Sequence, residues 1–219
     1  MNNPKNIPAP SETKKHRLTW KEYALFASLA LTLAAILSFL ASAVRMTISS
    51  TNGDVITTYG PAYSFIFGGK VASEHAAYTF KGTNGLLLSS WILILVGLIG
   101  TASAMACAFS NKLREEARTG IFVISALCEF VASLLLFSSK TSMANTLCVI
   151  IVGSYSESVA NTINSNLSLR FGVWGSGIFA LLGALALTVT LTKSGNLSAL
   201  WSLIKEQVQK LLKKPAEDK

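Results

Sequence analysis

The run LLLSSWILILVGLIGTASAMACAF, residues 86–109, is followed by the polar stretch SNKLREEARTG, 110–120, and then by IFVISALCEFVASLLLF, 121–137. The first run has 24 residues and no charge; the second has 17 and one charge, Glu129. About 20 consecutive apolar residues cross a hydrocarbon core of ~30 Å, so the two runs predict a membrane hairpin. Its turn carries Lys112, Arg114 and Arg118. Basic residues concentrate in cytoplasmic loops, which places this turn inside the cell.

Working outward from the hairpin, two further charge-free runs occur at 23–44 and 173–191. The whole chain is 51% hydrophobic and 14% charged, against ~25% charged for an ordinary soluble domain. The expected fold is an all-α membrane protein. A four-helix transmembrane bundle would have spans at about 23–44, 86–109, 120–138 and 173–191 within a membrane domain 22–192, with outer loops 45–85 and 139–172. Both termini would be cytoplasmic. Fourteen of the 19 basic residues then fall on inner segments and five on the outer loops. The net charge of +8 is thus a topology signal and a match to anionic lipid rather than to nucleic acid.

The flanking segments are of different kinds. Residues 1–21 are polar, with Pro4, Pro8 and Pro10, and are expected to be a disordered cytoplasmic tail. Ala41-Ser42-Ala43 resembles a signal-peptidase site, but the apolar core before it exceeds the 7–15 residues of a signal peptide, so an uncleaved span is expected. In the tail 193–219, Leu197, Leu200, Trp201, Ile204, Val208 and Leu211 recur at helical spacing opposite Lys205, Lys210, Lys213 and Lys214. That pattern predicts an amphipathic helix over 196–214 lying on anionic lipid of the inner leaflet. A soluble helix packed on a cytoplasmic partner is the other reading.

The loop 45–85 is punctuated by Asn52-Gly53, Gly60-Pro61, Gly68-Gly69 and Gly82 to Gly85. Between these turn signals, 55–59, 62–67 and 76–80 are rich in β-branched and aromatic residues, and Tyr63, Phe65 and Phe67 alternate. They predict a small extracytoplasmic β element. In the second outer loop, 146–152 and 167–171 are candidate strands for the same element; 143–155 could instead be a short re-entrant segment. Inward termini, four spans and a strand-bearing first outer loop are similar in layout to claudin-like four-span proteins. Those proteins carry a tryptophan and a cysteine pair in that loop, where 45–85 has neither. Tetraspanins staple their second loop with cysteines, where this chain has only Cys148. The resemblance is one of layout and carries over no functional residue.

Glu129 is the one ionisable acid or base inside a span, close to the bilayer midplane. An unpaired charge there costs several kcal/mol, so the side chain must face the bundle interior. It is expected to be neutral and to donate a hydrogen bond. Ser125 and Ser133 share its helix face, and Thr101 or Ser103 and Thr32 lie at matching depth. Two readings stand: a proton or cation site, and an interhelical polar clasp. Small residues four apart, Ala30-Ala34-Ser38-Ser42, Gly100-Ala104-Ala108 and Ser176-Ala180-Ala184-Thr188, predict close helix approach.

His16 and His75 stand in no metal-binding pattern, and no nucleophile motif or phosphate-binding loop occurs. No enzyme activity, cofactor or metal is therefore expected. The expected role is a structural or interaction protein of the plasma membrane that meets a protein partner at its outer loops. A small transporter or channel subunit using Glu129 is the alternative.

Overall fold

A computed structural model describes residues 19–50, 53–72, 77–109 and 114–193, together with Lys205. Four of its helices are long and apolar enough to cross a membrane: α1 (Trp20–Ser38), α3 (Gly85–Phe109), α4 (Glu115–Phe137) and α7 (Phe171–Lys193). They mark a multi-pass membrane protein. Packing runs α1 on α3, α3 on α4, α4 on α7 and α7 on α1, closing a ring. The ring is inside-out relative to a soluble bundle. Leu33, Leu37, Ile99, Ile124, Leu127 and Leu185 lie exposed on its outer faces, while Ser28, Thr32, Thr101, Ser125 and Glu129 are buried within it.

The remaining elements gather at one end of the ring. They are β1 (Val44–Ser50), β2 (Gly53–Tyr59), α2 (Ser64–Phe67), β3 (Gly69–Ala72), β4 (Ala77–Phe80), α5 (Lys140–Val152), α6 (Glu157–Asn166) and β5 (Leu167–Leu169). One antiparallel sheet has the order β2-β1-β5, with β3-β4 a separate hairpin. Val44 faces Tyr59 and Leu169 across the first sheet, and Met46 faces Thr57 and Leu167. Val44, Met46, Thr57, Tyr59 and Leu167 are all buried, so one face of the sheet packs inward at the strand period of two.

α1 begins before the expected start at 23, because Thr19 and Glu22 form a capping box that holds the first turn. It also stops well short of the expected end at 44. Residues 39–43 give their backbone to other segments instead: Phe39 O accepts from Tyr63 N at 3.0 Å, Ala41 O from Ala62 N at 2.9 Å, Ser42 O from Gly172 N at 2.8 Å and Ala43 O from Arg170 N at 2.8 Å. Val44 then belongs to β1. An apolar run continues across this boundary, but its hydrogen bonds leave the helix.

Two expected strands are helical. Residues 62–67 alternate in sequence, yet Phe65 and Ile66 are adjacent and both buried, so the alternation does not mark one buried face. Phe67 N donates to Tyr63 O at 3.0 Å, closing the turn of α2. The expected strand at 146–152 lies within α5, whose Met143, Ala144, Leu147 and Cys148 form a buried helical stripe. Gly153, at φ 82°, ends that helix in the left-handed conformation. α5 and α6 then fold back on each other with a bend of 119°. The expected strand over 167–171 is realised as β5 with Phe171 opening α7, and those over 55–59 and 76–80 as β2 and β4. The expected amphipathic helix over 196–214 lies outside the described residues, apart from Lys205.

Asn84 joins the cap to the ring. Its Oδ1 accepts from Leu87 N at 3.1 Å, capping α3, and from Ser142 Oγ at 3.2 Å. Its Nδ2 donates to Thr146 Oγ1 at 2.8 Å and to Ser142 O at 3.2 Å. An N-cap contributes ~1 kcal/mol and a buried hydrogen bond about as much. Asn84→Ala should therefore lower unfolding free energy in micelles by ~2 kcal/mol or more. Asn84→Asp keeps the cap acceptor but should recover only part of the loss, since it faces Ser142 O with no donor. Equal stability of all three proteins would remove Asn84 from this role.

Tyr59 supplies a pH test of the sheet. Burial, and after it the nearby Tyr78, push its phenol up from the usual value. A raised acid stabilises the fold below its unfolded pKa of ~10, and that contribution is lost as pH climbs through the folded value. Unfolding followed above pH ~10 should show this alkaline loss, and Tyr59→Phe should flatten it.

Candidate functional site

α4 turns Thr119, Phe122, Ser125, Glu129, Ser133 and Leu136 inward, a stripe set by the helical period. Glu129 is 0% exposed. It lies about eight residues, or ~12 Å, from the cap end of α4. All four spanning helices meet at its carboxyl. From α1, Thr32 Oγ1 stands 2.8 Å from Glu129 Oε1. On α3 the neighbour is Gly97, where a Cβ would lie 2.7 Å from Glu129 Cγ and 3.0 Å from Oε1. On α7 it is Gly183, where a Cβ would lie 2.6 Å from Oε2 and 3.1 Å from Thr32 Oγ1. The backbones of α3 and α7 thus come close to the carboxyl, and a side chain at either position would force the Glu129 side chain to move.

Thr32 has one hydroxyl hydrogen and two acceptor oxygens at 2.8 Å, Ser28 O of its own helix and Glu129 Oε1. It donates to one of them at a time, and a protonated carboxyl would complete the chain by donating back to Thr32 Oγ1. Ser28 Oγ continues it by donating to Gly183 O at 3.1 Å, tying α1 to α7. Among the described residues Glu129 Oε2 has no hydrogen-bond partner, nor does Thr101 Oγ1, which is buried one turn along α3 from Gly97.

The expected residues separate accordingly. Thr32 is bonded to Glu129, and Thr101 is buried one turn along α3 from Gly97, without a bond. Ser125 packs one turn away against Gly100, where a Cβ would overlap its hydroxyl. Ser133 is buried, but its hydroxyl donates to Phe130 O of its own helix at 2.7 Å. Ser103 is exposed and takes no part. Ser28, Gly97 and Gly183 were not expected. Ser28 is four residues from Thr32, and Gly97 three from Gly100, so their spacing carried the signal. Of the expected small-residue ladder on α1, Ser38 is buried, Ala34 half-buried and Ala30 exposed, with Ser42 beyond the helix; Ser28, Thr32 and Ala35 make up the rest of the inward face. Thr188, at the end of the ladder on α7, is exposed as well. Among the described residues no group of three or more His, Cys, Asp or Glu could hold a metal ion.

An interhelical hydrogen bond in a membrane bundle contributes ~0.6 kcal/mol on average, whereas overpacking a tight site costs ~1–3 kcal/mol. Glu129→Gln should leave thermal stability nearly unchanged, Glu129→Leu should lower it slightly, and Gly183→Ala or Gly97→Ala should lower it most. A Gly183→Ala protein as stable as the wild type would show that the backbones do not close on the carboxyl. No protein-family model matches this chain, and comparison with curated proteins likewise finds no match.

Proposed function

We propose that this chain is an integral plasma-membrane protein with a non-enzymatic structural or interaction role. In this reading the cap faces outward and meets a protein partner, and both termini lie in the cytoplasm. One observation carries the proposal. The cap is a folded unit built onto the helix ends, sharing a buried core of Phe39, Val44, Phe65, Ile66, Met143 and Leu147. On its surface Val149, Val152 and Tyr155 stay 41%, 49% and 59% exposed, and exposed apolar residues grouped at one helix tip suit protein contact. Aromatic residues support the membrane placement. Trp20 and Tyr23 are exposed at one end of the ring, with Phe171 and Trp174 at the other, as in the belts where aromatic rings meet the headgroups.

A second reading, a transporter or channel subunit using Glu129 for a proton or cation, is favoured by the unpartnered Oε2 and Thr101 hydroxyl. Flux into liposomes compared between wild type and Glu129→Gln separates the two roles. Equal flux would leave the structural role standing; flux lost in the variant alone would replace it.

Sidedness is tested by cysteine labelling in intact cells, in a background lacking Cys107, Cys128 and Cys148. An impermeant thiol reagent should modify Lys70→Cys on the cap and spare Glu116→Cys at the opposite end; the reverse pattern would invert the topology. For the basic tail, a peptide of residues 196–214 should become helical on anionic vesicles, with a blue shift of Trp201 fluorescence that weakens as salt rises. Indifference to anionic vesicles would favour a soluble partner for the tail.

A further inference from the structure

The polar layer around Glu129 divides the interior of the ring in two. On the cap side lie Ala35, Ile94, Ala132 and Ala180, part of one buried apolar cluster. On the other side Ala104, Phe122, Leu187 and Leu191 belong to a second. Between them each helix contributes small or polar residues: Ser28 and Thr32, Gly97 and Thr101, Ser125 and Glu129, and Gly183. A clasp needs one donor and one acceptor. This layer holds more oxygen than that, and two of its buried oxygens have no partner.

We infer that this layer binds one small monovalent cation, of sodium or lithium size, in exchange for the Glu129 proton. The inference deepens the cation reading of Glu129 and is independent of any partner at the cap. Its oxygen set is the Glu129 carboxylate with the hydroxyls of Thr32 and Thr101, a hard-oxygen environment suited to alkali cations. In the exchange the carboxyl O–H breaks, the proton leaves to solvent, and the carboxylate oxygen takes the cation. The layer stays neutral before and after, which avoids the several kcal/mol of an unpaired charge at this depth. One carboxylate neutralises one positive charge, so a divalent ion would leave a net charge in hydrocarbon. The closeness of Gly97 and Gly183 to the carboxyl restricts the site to a small, dehydrated ion. From α1, α3 and α7 no other acid or base among the described residues faces Glu129; on α4 itself Cys128 precedes it and is half-buried.

The test uses the full chain in detergent micelles at alkaline pH, with chlorides of sodium, lithium, potassium and choline at equal ionic strength. Thermal unfolding is followed alongside labelling of Glu129 by a hydrophobic carbodiimide, read by mass spectrometry. Sodium or lithium should raise Tm and slow the labelling several-fold relative to choline, and both effects should fade as pH falls and the proton competes. Thr101→Val should weaken the protection, and Glu129→Gln should abolish the Tm shift. Identical Tm and labelling in all four salts would overturn the site, as would an undiminished sodium shift in Glu129→Gln. Should that variant not fold, protection of the wild-type carboxyl decides alone. Equal protection by potassium and sodium would overturn the size assignment. Cation protection without flux in liposomes would support the site while removing the transport role.

Discussion

Lipid tails are as apolar as leucine, so a bilayer offers helices no hydrophobic reason to associate. What brings these four together is close packing around one carboxyl. Gly97 and Gly183 remove the side chains that would hold α3 and α7 away from Glu129, and Thr32 and Ser28 then bond α1 to α4 and to α7. The arrangement is mutually dependent. Without the glycines the Glu129 side chain would have to move, and without the bonds an enclosed acid would be a liability rather than a tie. The exposed outer face of the ring, with Leu33, Ile99 and Leu185, follows from the same constraint, since a carboxyl cannot face lipid, whereas an outward hydroxyl such as that of Thr188 is satisfied by its own helix.

Much of this was legible in the sequence, because hydrocarbon imposes a length and a composition. The absence of charge over 86–109 and the lone Glu129 in 121–137 are enough to set the hairpin and to turn that acid inward. Thr32 could be named as a partner because depth along a helix is counted at a fixed rise. Gly183 could not. Depth does not say which face of α1 or α7 points inward, and when nearly every residue is apolar or small, several stripes look equally suitable. Ala30-Ala34 and Ser28-Thr32 are offset by two residues and so lie on nearly opposite faces of α1, and the choice between them falls to the partner that needs a hydroxyl.

The cap was harder to read for a different reason. Tyr63-Ser64-Phe65-Ile66-Phe67 has the composition of a strand, and so does Cys148-Val149-Ile150-Ile151-Val152. Both are helical within the cap: Phe65 and Ile66 are buried on α2, and Leu147 and Cys148 on α5, which packs on α6. Tertiary burial outweighs β-propensity, whose whole range spans only ~1 kcal/mol. β1 was concealed in the opposite way. Its first residue continues the apolar run of α1, and only the departure of the backbone hydrogen bonds at residues 39–43 marks the change.

Those five residues also relate the two halves of the molecule. α1 leads through them into β1, and β5 leads directly into α7, so the strand pair β1-β5 and the helix pair α1-α7 are one continuous contact. It is fastened at Val44 opposite Leu169 in the cap and at Ser28 to Gly183 in the ring. The bonds from Arg170 N to Ala43 O and from Gly172 N to Ser42 O fasten it in the middle. Gly172 lies so close to the backbone at Ala41 and Ser42 that a Cβ there would overlap both carbonyl oxygens. The joint therefore has little room to slide. The contacts there are between backbones, so side-chain rearrangement cannot loosen it, and the register of β1 on β5 is tied to the close approach of α1 and α7.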